Sequence, residues 1–222
     1  MHYSARVLRF FSIFAENIFL SMQKTRNLLI DVARQLFAKR GFEDTTMNDI
    51  ASESGKGRRT LYTYFSSKEE IYLAVIQNEL DRLTKRLDEI THMDASPEKK
   101  MVQLIFAHLE AVKDAVYRNG NLRAEFFRDI WKVEAVRKDF DRNEIIMLRR
   151  IMNEGNDKGD FDIKNVKLMS VITHYCIKGC EVPYIYGRIV VASPEELYPY
   201  VRNLVHKSLS SERKEFVYGG KL

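Results

Sequence analysis

Two guanidiniums, one ammonium and three hydroxyls stand within eleven residues: Arg58, Arg59, Thr60, Tyr62, Tyr64 and Lys68. No carboxylate falls among residues 54–68. Such a set forms no covalent bond. Its chemistry is the recognition of phosphates and base edges, arginine reaching either and hydroxyls reaching phosphate oxygens. A solvated charged helix would account for Arg58 and Arg59 but not for two tyrosines beside them. Lys68 adds a separate sign. Ser67 and Glu70 have the spacing of a capping box, which places Lys68 in a first helical turn, where the helix dipole disfavours a cation. A phosphate at that turn would reverse the cost.

These side chains need two short helices and a tight turn to hold them. Thr46 is a cap for the first helix, with Asp49 three residues on as the reciprocal partner. Ile50 faces inward, and the small Ala51 allows close approach of the second helix. Ser54-Gly55-Lys56-Gly57 is the turn, with Gly55 at a site suited to positive φ. The second helix is Arg58 to Tyr64. Leu61 and Phe65, four apart, point to the core. That leaves Arg58, Arg59, Thr60, Tyr62 and Tyr64 outward. Ahead of this pair, Lys24 to Arg40 reads as a supporting helix with Leu29, Ala33, Leu36 and Phe37 as its apolar stripe. Gly41 is its left-handed stop, with Phe42 making the accompanying contact.

At the spacings where they stand, Thr25-Arg26, Ala33, Leu36-Phe37, Gly41-Phe42, Thr45-Thr46, Asp49-Ile50-Ala51, Gly55, Thr60-Leu61-Tyr62-Thr63-Tyr64-Phe65 and Ser67-Lys68-Glu69 closely resemble the tetracycline-repressor (TetR) family over about Gln23 to Ile76. Two departures add positive charge: Arg59 where many members have a small residue, and Lys56 where many have an apolar one. The resemblance implies a DNA-binding regulator, a repressor by default, with Thr46, Asn48, Lys56, Arg58, Arg59, Thr60, Tyr62, Tyr64 and Lys68 as the DNA-contacting set.

The charge distribution points the same way. The net charge of +5 lies mainly in residues 22–68, which hold nine basic and five acidic side chains, whereas residues 69–222 balance at 25 of each. A basic excess confined to the contact segment is the electrostatic footprint of a nucleic-acid binder. Two cysteines make no disulfide framework and suit a reducing cytoplasm. No metal-spaced His/Cys cluster, G-x-S-x-G or Gly-rich phosphate loop after a strand is present, so neither an enzyme nor a cofactor is indicated.

The rest of the chain reads as helices and no strands. One runs from Lys68 to about Ile90. A second, Pro97 to about Arg118, has Val102, Ile105, Phe106, Leu109, Val112 and Val116 on a wide apolar face, bordered by a hydrogen-bonded structural His108. Leu122 to Phe140 gives one or two helices, and Ile145 to about Lys158 another. Val166 to about Glu181 places Met169, Ile172, Thr173, Cys176, Ile177 and Cys180 inward, and Pro183 ends or kinks it. Cys176 and Cys180 are better read as buried small hydrophobes than as a redox or metal switch with His174. Ser193-Pro194-Glu195-Glu196 starts the last helix.

The fold class is therefore all-α. A three-helix helix-turn-helix domain occupies 22–68, a larger helical ligand-binding and dimerisation domain 69–210, and a polar tail 211–222. Residues 1–21 form an extension, read as lying upstream of a start at Met22 or as an added packing helix. A rival reading makes that extension the tether of a membrane-attached interaction protein, although its apolar run is far shorter than the roughly 20 residues a span needs. The favoured partners are double-stranded DNA with a pseudo-palindromic operator, a second copy of the chain, and a small-molecule effector, with no membrane and a cytoplasmic location. Two recognition helices about 34 Å apart ask for a homodimer. The last two helices carry more apolar surface than one chain hides. The resemblance implies the same pair as the interface, and an effector pocket inside the later helices; Phe106, Phe127, Trp131 and Tyr175 are its candidate walls.

Overall fold

A computed structural model describes the backbone of residues 2–118, 130–189 and 194–210, and the side chains of 14–118, 134–189 and 195–210. Apolar residues three and four apart become eight α-helices among these residues: α1 His2–Arg40, α2 Met47–Glu53, α3 Arg58–Tyr64, α4 Lys68–His92, α5 Pro97–Arg118, α6 Ile130–Lys158, α7 Val166–Ile185 and α8 Pro194–Leu209. The fold is all-α, as expected. Pairing of strand type among the described residues is one isolated bridge between Phe161 and Ser210.

Three boundaries differ from the sequence reading, each for a physical reason. α1 begins at His2 rather than Lys24, because residues 1–40 contain no glycine or proline to interrupt it. Phe14, Ile18, Phe19 and Leu20 along its early turns are all exposed. The helices expected on either side of residues 141–144 are one, since α6 passes through that polar stretch without a breaker. α7 continues past Glu181 and takes Pro183 into its last turn. The turn expected at Asn119-Gly120-Asn121 and the polar tail expected at 211–222 lie outside the described residues.

Two compact units result. The first comprises residues 1–78 with 117–136, the second 79–116 with 137–222. In the first, Leu29, Ile30, Ala33, Leu36 and Phe37 of α1 pack with Phe42, Ile50, Ala51, Leu61, Phe65, Ile71 and Val75 in one buried cluster. Phe37, Phe42 and Tyr72 meet edge-on or tilted at 5.3–6.4 Å, geometry that adds to simple area burial. Gly41 stops α1 at φ 91°, and its N–H donates to the Phe37 carbonyl at 2.9 Å. In the second unit, Met101, Val102 and Leu104 of α5, Leu148, Ile151 and Met152 of α6, Ile177 and Ile185 of α7, and Val205 and Leu209 of α8 are buried.

The inward set expected for α7 is largely wrong. Ile177 is buried, but Met169, Thr173 and Cys180 are half-buried, and Ile172 and Cys176 are exposed. The helix is rotated because Ser170, His174, Ile177 and Glu181, at helical spacing, face inward instead. Polar partners across the core, described below, outweigh the apolar stripe.

Candidate nucleic-acid interface

The interface is built from the cap of α2 upward. Asp49 N–H donates to the Thr46 hydroxyl at 3.2 Å, and Thr46 N–H donates back to the Asp49 carboxylate at 2.8 Å, a complete capping box. The Thr46 hydroxyl also donates to that carboxylate at 2.7 Å, so its proton is already committed. These Thr46 bonds, with Arg40 nearby, hold the Asp49 carboxyl below its ordinary pKa. Gly55 turns the chain at φ 64°, as its position required. Lys56 N–H then closes the turn on the Ala51 carbonyl at 3.1 Å.

α3 sits on this support through Leu61, fully buried, and Phe65 just after it. Arg26 lies over the Phe65 ring at 5.1 Å, closing the α1 side. Arg58, Arg59, Thr60 and Tyr62 are exposed, Tyr62 to 47%, as is Asn48 on α2. Lys56 is half-buried. Tyr64 departs from the expected outer set: it is half-buried and packs against the core cluster, because position 64 lies one turn from Leu61 on the same face. Neither arginine of α3 is in an ion pair among the described residues.

Lys68 has a second explanation. Its ammonium donates to the carbonyls of Phe42 at 2.6 Å and Glu43 at 3.2 Å and lies 4.3 Å from the Phe42 ring centroid. The cation at a helix start is thus stabilised from within the chain, by the loop after α1. The cap also differs in detail: Ser67 accepts from Glu70 N–H at 3.2 Å, but the Glu70 carboxylate reaches Ser66, at 2.7 Å to its N–H and 2.8 Å to its hydroxyl.

In the second unit, Phe106 lines a cavity of about 860 Å³ together with residues of α4 and α8, its ring stacked on Tyr198 at 5.9 Å. The other candidate wall residues are elsewhere or undescribed. Tyr175 is 61% exposed, edge-on to His174 on the outer side of α7. Phe127 lies outside the described residues, and so does the side chain of Trp131.

Sequence reasoning missed a buried ionic network in this unit. His108 of α5, fully buried, meets Glu144 at 2.5 Å and Glu181 at 2.8 Å. His174 meets the other Glu144 oxygen at 2.6 Å, and Arg137 donates through both terminal nitrogens to Glu181. Burial alone would lower the His108 pKa, but the two carboxylates outweigh it and raise it to about 9. Burial would raise that of Glu181, but His108 and Arg137 bring it down to about 2. Glu144 is likewise lowered, its two histidine partners overcoming burial. The structural role expected for His108 holds; its two carboxylate partners were invisible because they are 36 and 73 residues away. The cysteines are not the buried pair expected: Cys176 is exposed, while burial pushes the half-buried Cys180 thiol up. Among the described residues no group of three or more His, Cys, Asp or Glu is arranged to hold a metal.

A family profile described as "Bacterial regulatory proteins, tetR family" matches residues 29–75, which hold the core of the first unit and all of α2 and α3. The chain is 27% identical over 140 residues to the uncharacterized HTH-type transcriptional regulator YfiR of Bacillus subtilis, covering 60% of this chain and 66% of YfiR. It is 29% identical over 143 residues to the HTH-type transcriptional repressor KstR2 of Mycolicibacterium smegmatis, covering 62% and 70%. In fold it is similar to a transcriptional regulator from Cytophaga hutchinsonii, with a TM-score of 0.67 and 22% identity over 83% of this chain and 98% of that one. The buried scaffold, the outward basic helix and these likenesses agree: residues 29–75 form the domain that the tetR-family profile describes, in a chain that shares the all-helical fold of such regulators.

Proposed function

We propose that this regulator is a homodimeric repressor that binds a pseudo-palindromic operator in the cytoplasm and is released from it by a small molecule. The observation that carries the DNA-binding reading is the outward face of α3, where Arg58, Arg59, Thr60 and Tyr62 stand exposed over a buried Leu61. Arg58 and Arg59 read bases or phosphates; Asn48, Thr60, Tyr62 and the outer part of Tyr64 take backbone contacts, with Lys56 adding charge. Thr46 and Lys68 contribute chiefly by fixing α2 and the start of α4, because their polar atoms are already engaged. Repression follows the description of KstR2 as a repressor.

The dimer reading rests on surface the single chain leaves uncovered. Leu168, Ile172 and Tyr175 recur at helical spacing on α7, and Tyr200 and Leu204 on α8; all five are exposed, Leu204 to 67%. A second copy would bury these faces in a four-helix contact. The effector reading rests on the cavity that Phe106 lines, whose wall includes the C-terminal end of α4. α4 begins at Lys68, tied to the loop before the helix-turn-helix, so a ligand that biases its far end has a continuous helix through which to act. Coupling of about 1–3 kcal/mol is enough to relieve repression.

The tether reading is not favoured. Among the described residues no helix is long and apolar enough to cross a membrane.

The test is selection of genomic fragments by the purified full-length protein, followed by titration of the best fragment at several salt concentrations. Affinity that falls steeply with salt is expected, because each phosphate contact releases counterions. Failure to select any fragment would remove the reading.

A further inference from the structure

The inner and outer faces of α7 are the reverse of what burial of apolar surface alone selects. Of the six residues the helix buries, Ser170, His174 and Glu181 are polar. Leu168, Ile172, Tyr175, Val182 and Tyr186 are left exposed. Gly179 is exposed too, with no atom within 4 Å of where a β-carbon would stand. With it, these residues follow one another at alternating intervals of four and three. That alternation is a helix seam suited to another helix. What opposes the apolar preference is a grip from two other helices. His174 meets Glu144 of α6 at 2.6 Å, and Glu181 meets His108 of α5 at 2.8 Å and Arg137 of α6 at 2.9 Å. Between them Lys178 donates to Asp141 of α6 at 2.8 Å. Residues 174, 178 and 181 span about two turns on one side of the helix. Turning α7 by one residue position, about 100°, breaks every one of these contacts. In one sense that turn carries Met169, Cys176 and Cys180 toward the core and swings the seam off the outer surface.

We propose that the buried ionic network positions α7 for assembly: it fixes the helix in the one setting that offers the Leu168–Tyr186 seam to a second copy of the chain. Bonds among buried charges add little to stability over a well-packed apolar core, but they are satisfied in a single geometry, so they select orientation. His108, Arg137 and Glu144 are positioning residues for the contact between copies, although all three are buried inside the chain. The inference rests on the dimer reading above and names what aims its interface.

The test replaces the network by apolar side chains in the full-length protein: His108→Leu, Arg137→Met, Glu144→Leu, His174→Leu and Glu181→Leu together. Sedimentation velocity gives the dimer dissociation constant, and circular dichroism the melting temperature, with an Ile172→Glu monomer as the reference. The expected result is a split. The melting temperature stays at or above that of the Ile172→Glu monomer, while dimerisation is weaker than in the wild type by about tenfold or more. A second readout follows α7 itself. Maleimide labelling of Cys176, located by peptide mass mapping, is expected to be fast in Ile172→Glu and severalfold slower in the apolar variant, at concentrations where both are monomeric. Should the five changes prevent folding, Glu144→Leu with His174→Leu removes the one α6–α7 contact; dimerisation is then expected to weaken severalfold with the melt no lower than that of Ile172→Glu. A folded variant that dimerises like the wild type, or whose Cys176 labels as fast as in Ile172→Glu, overturns the proposal and leaves the dimer reading intact. Dimerisation and melting temperature that fall together, the melt dropping below the Ile172→Glu reference, show a network that only holds the fold, and overturn it too. A wild type that sediments as a monomer removes the dimer reading and the proposal with it.

Discussion

At the scale of single residues, the most consequential feature is the ionic network around His108. Its folded-state pKa of about 9 lies above the ordinary 6.5, so its contribution to stability is full below pH 6.5 and lost as pH rises through 9. Glu181, brought from 4.5 to about 2, contributes fully above pH 4.5 and progressively less as pH falls toward 2. Denaturant unfolding across pH 3–10 should therefore show a plateau between about pH 4.5 and 6.5, with an alkaline decline on the order of 2–3 kcal/mol. His108→Gln should lower the plateau and flatten the alkaline limb. A wild-type stability that is level from pH 6.5 to 9 would show that His108 does not hold its proton this way. Two cations of the interface divide in the same spirit. Lys68→Ala removes two carbonyl bonds and a ring contact, and should cost about 1–2 kcal/mol of stability as well as some DNA affinity. Arg58→Ala should leave the melting temperature unchanged, weaken operator binding by about 1–3 kcal/mol and relax sequence choice. Matching melting temperatures for the two variants would refute the division.

Among the elements, the α2–turn–α3 unit depends on the left-handed Gly55. No atom lies within 4 Å of where a β-carbon would stand, so the cost of substitution there is purely one of backbone conformation. Gly55→Ala should lose about 1 kcal/mol and Gly55→Asn less, because asparagine tolerates this region; a thermal melt that ranks them the other way contradicts the turn geometry. This unit was legible in the sequence because its signals are local: the Thr46 cap, Gly55, and Leu61 with Phe65 lie within twenty residues. The rotation of α7 was not. Its inward face is chosen by His108, Arg137 and Glu144, residues of other helices, and a lone polar residue in an apolar stripe gives no sign of partners so distant. The same limit hid the alternative role of Lys68, whose acceptors are 25 and 26 residues back. α6 runs unbroken through the polar residues 141–144, because helix continuity depends on the absence of a breaker rather than on an uninterrupted apolar stripe.

For the whole molecule, the proposed repressor acts as a pair of chains. The exposed stripe Leu168, Ile172 and Tyr175 makes a direct test possible, since a charge there should be harmless to a single chain and costly to a pair. Ile172→Glu should sediment as a monomer at micromolar concentration, with a fold intact by circular dichroism, and should lose operator binding by at least tenfold. An unchanged sedimentation coefficient would place the dimer contact elsewhere. Operator recognition, as proposed, needs paired copies of α3 on one face of a duplex. The measurement that tests this most directly is a hydroxyl-radical footprint of the full-length protein on its selected fragment. Two protected patches on the same face, centred about one helical turn (roughly 34 Å) or a multiple of it apart, are expected; a single patch, or none, would contradict it.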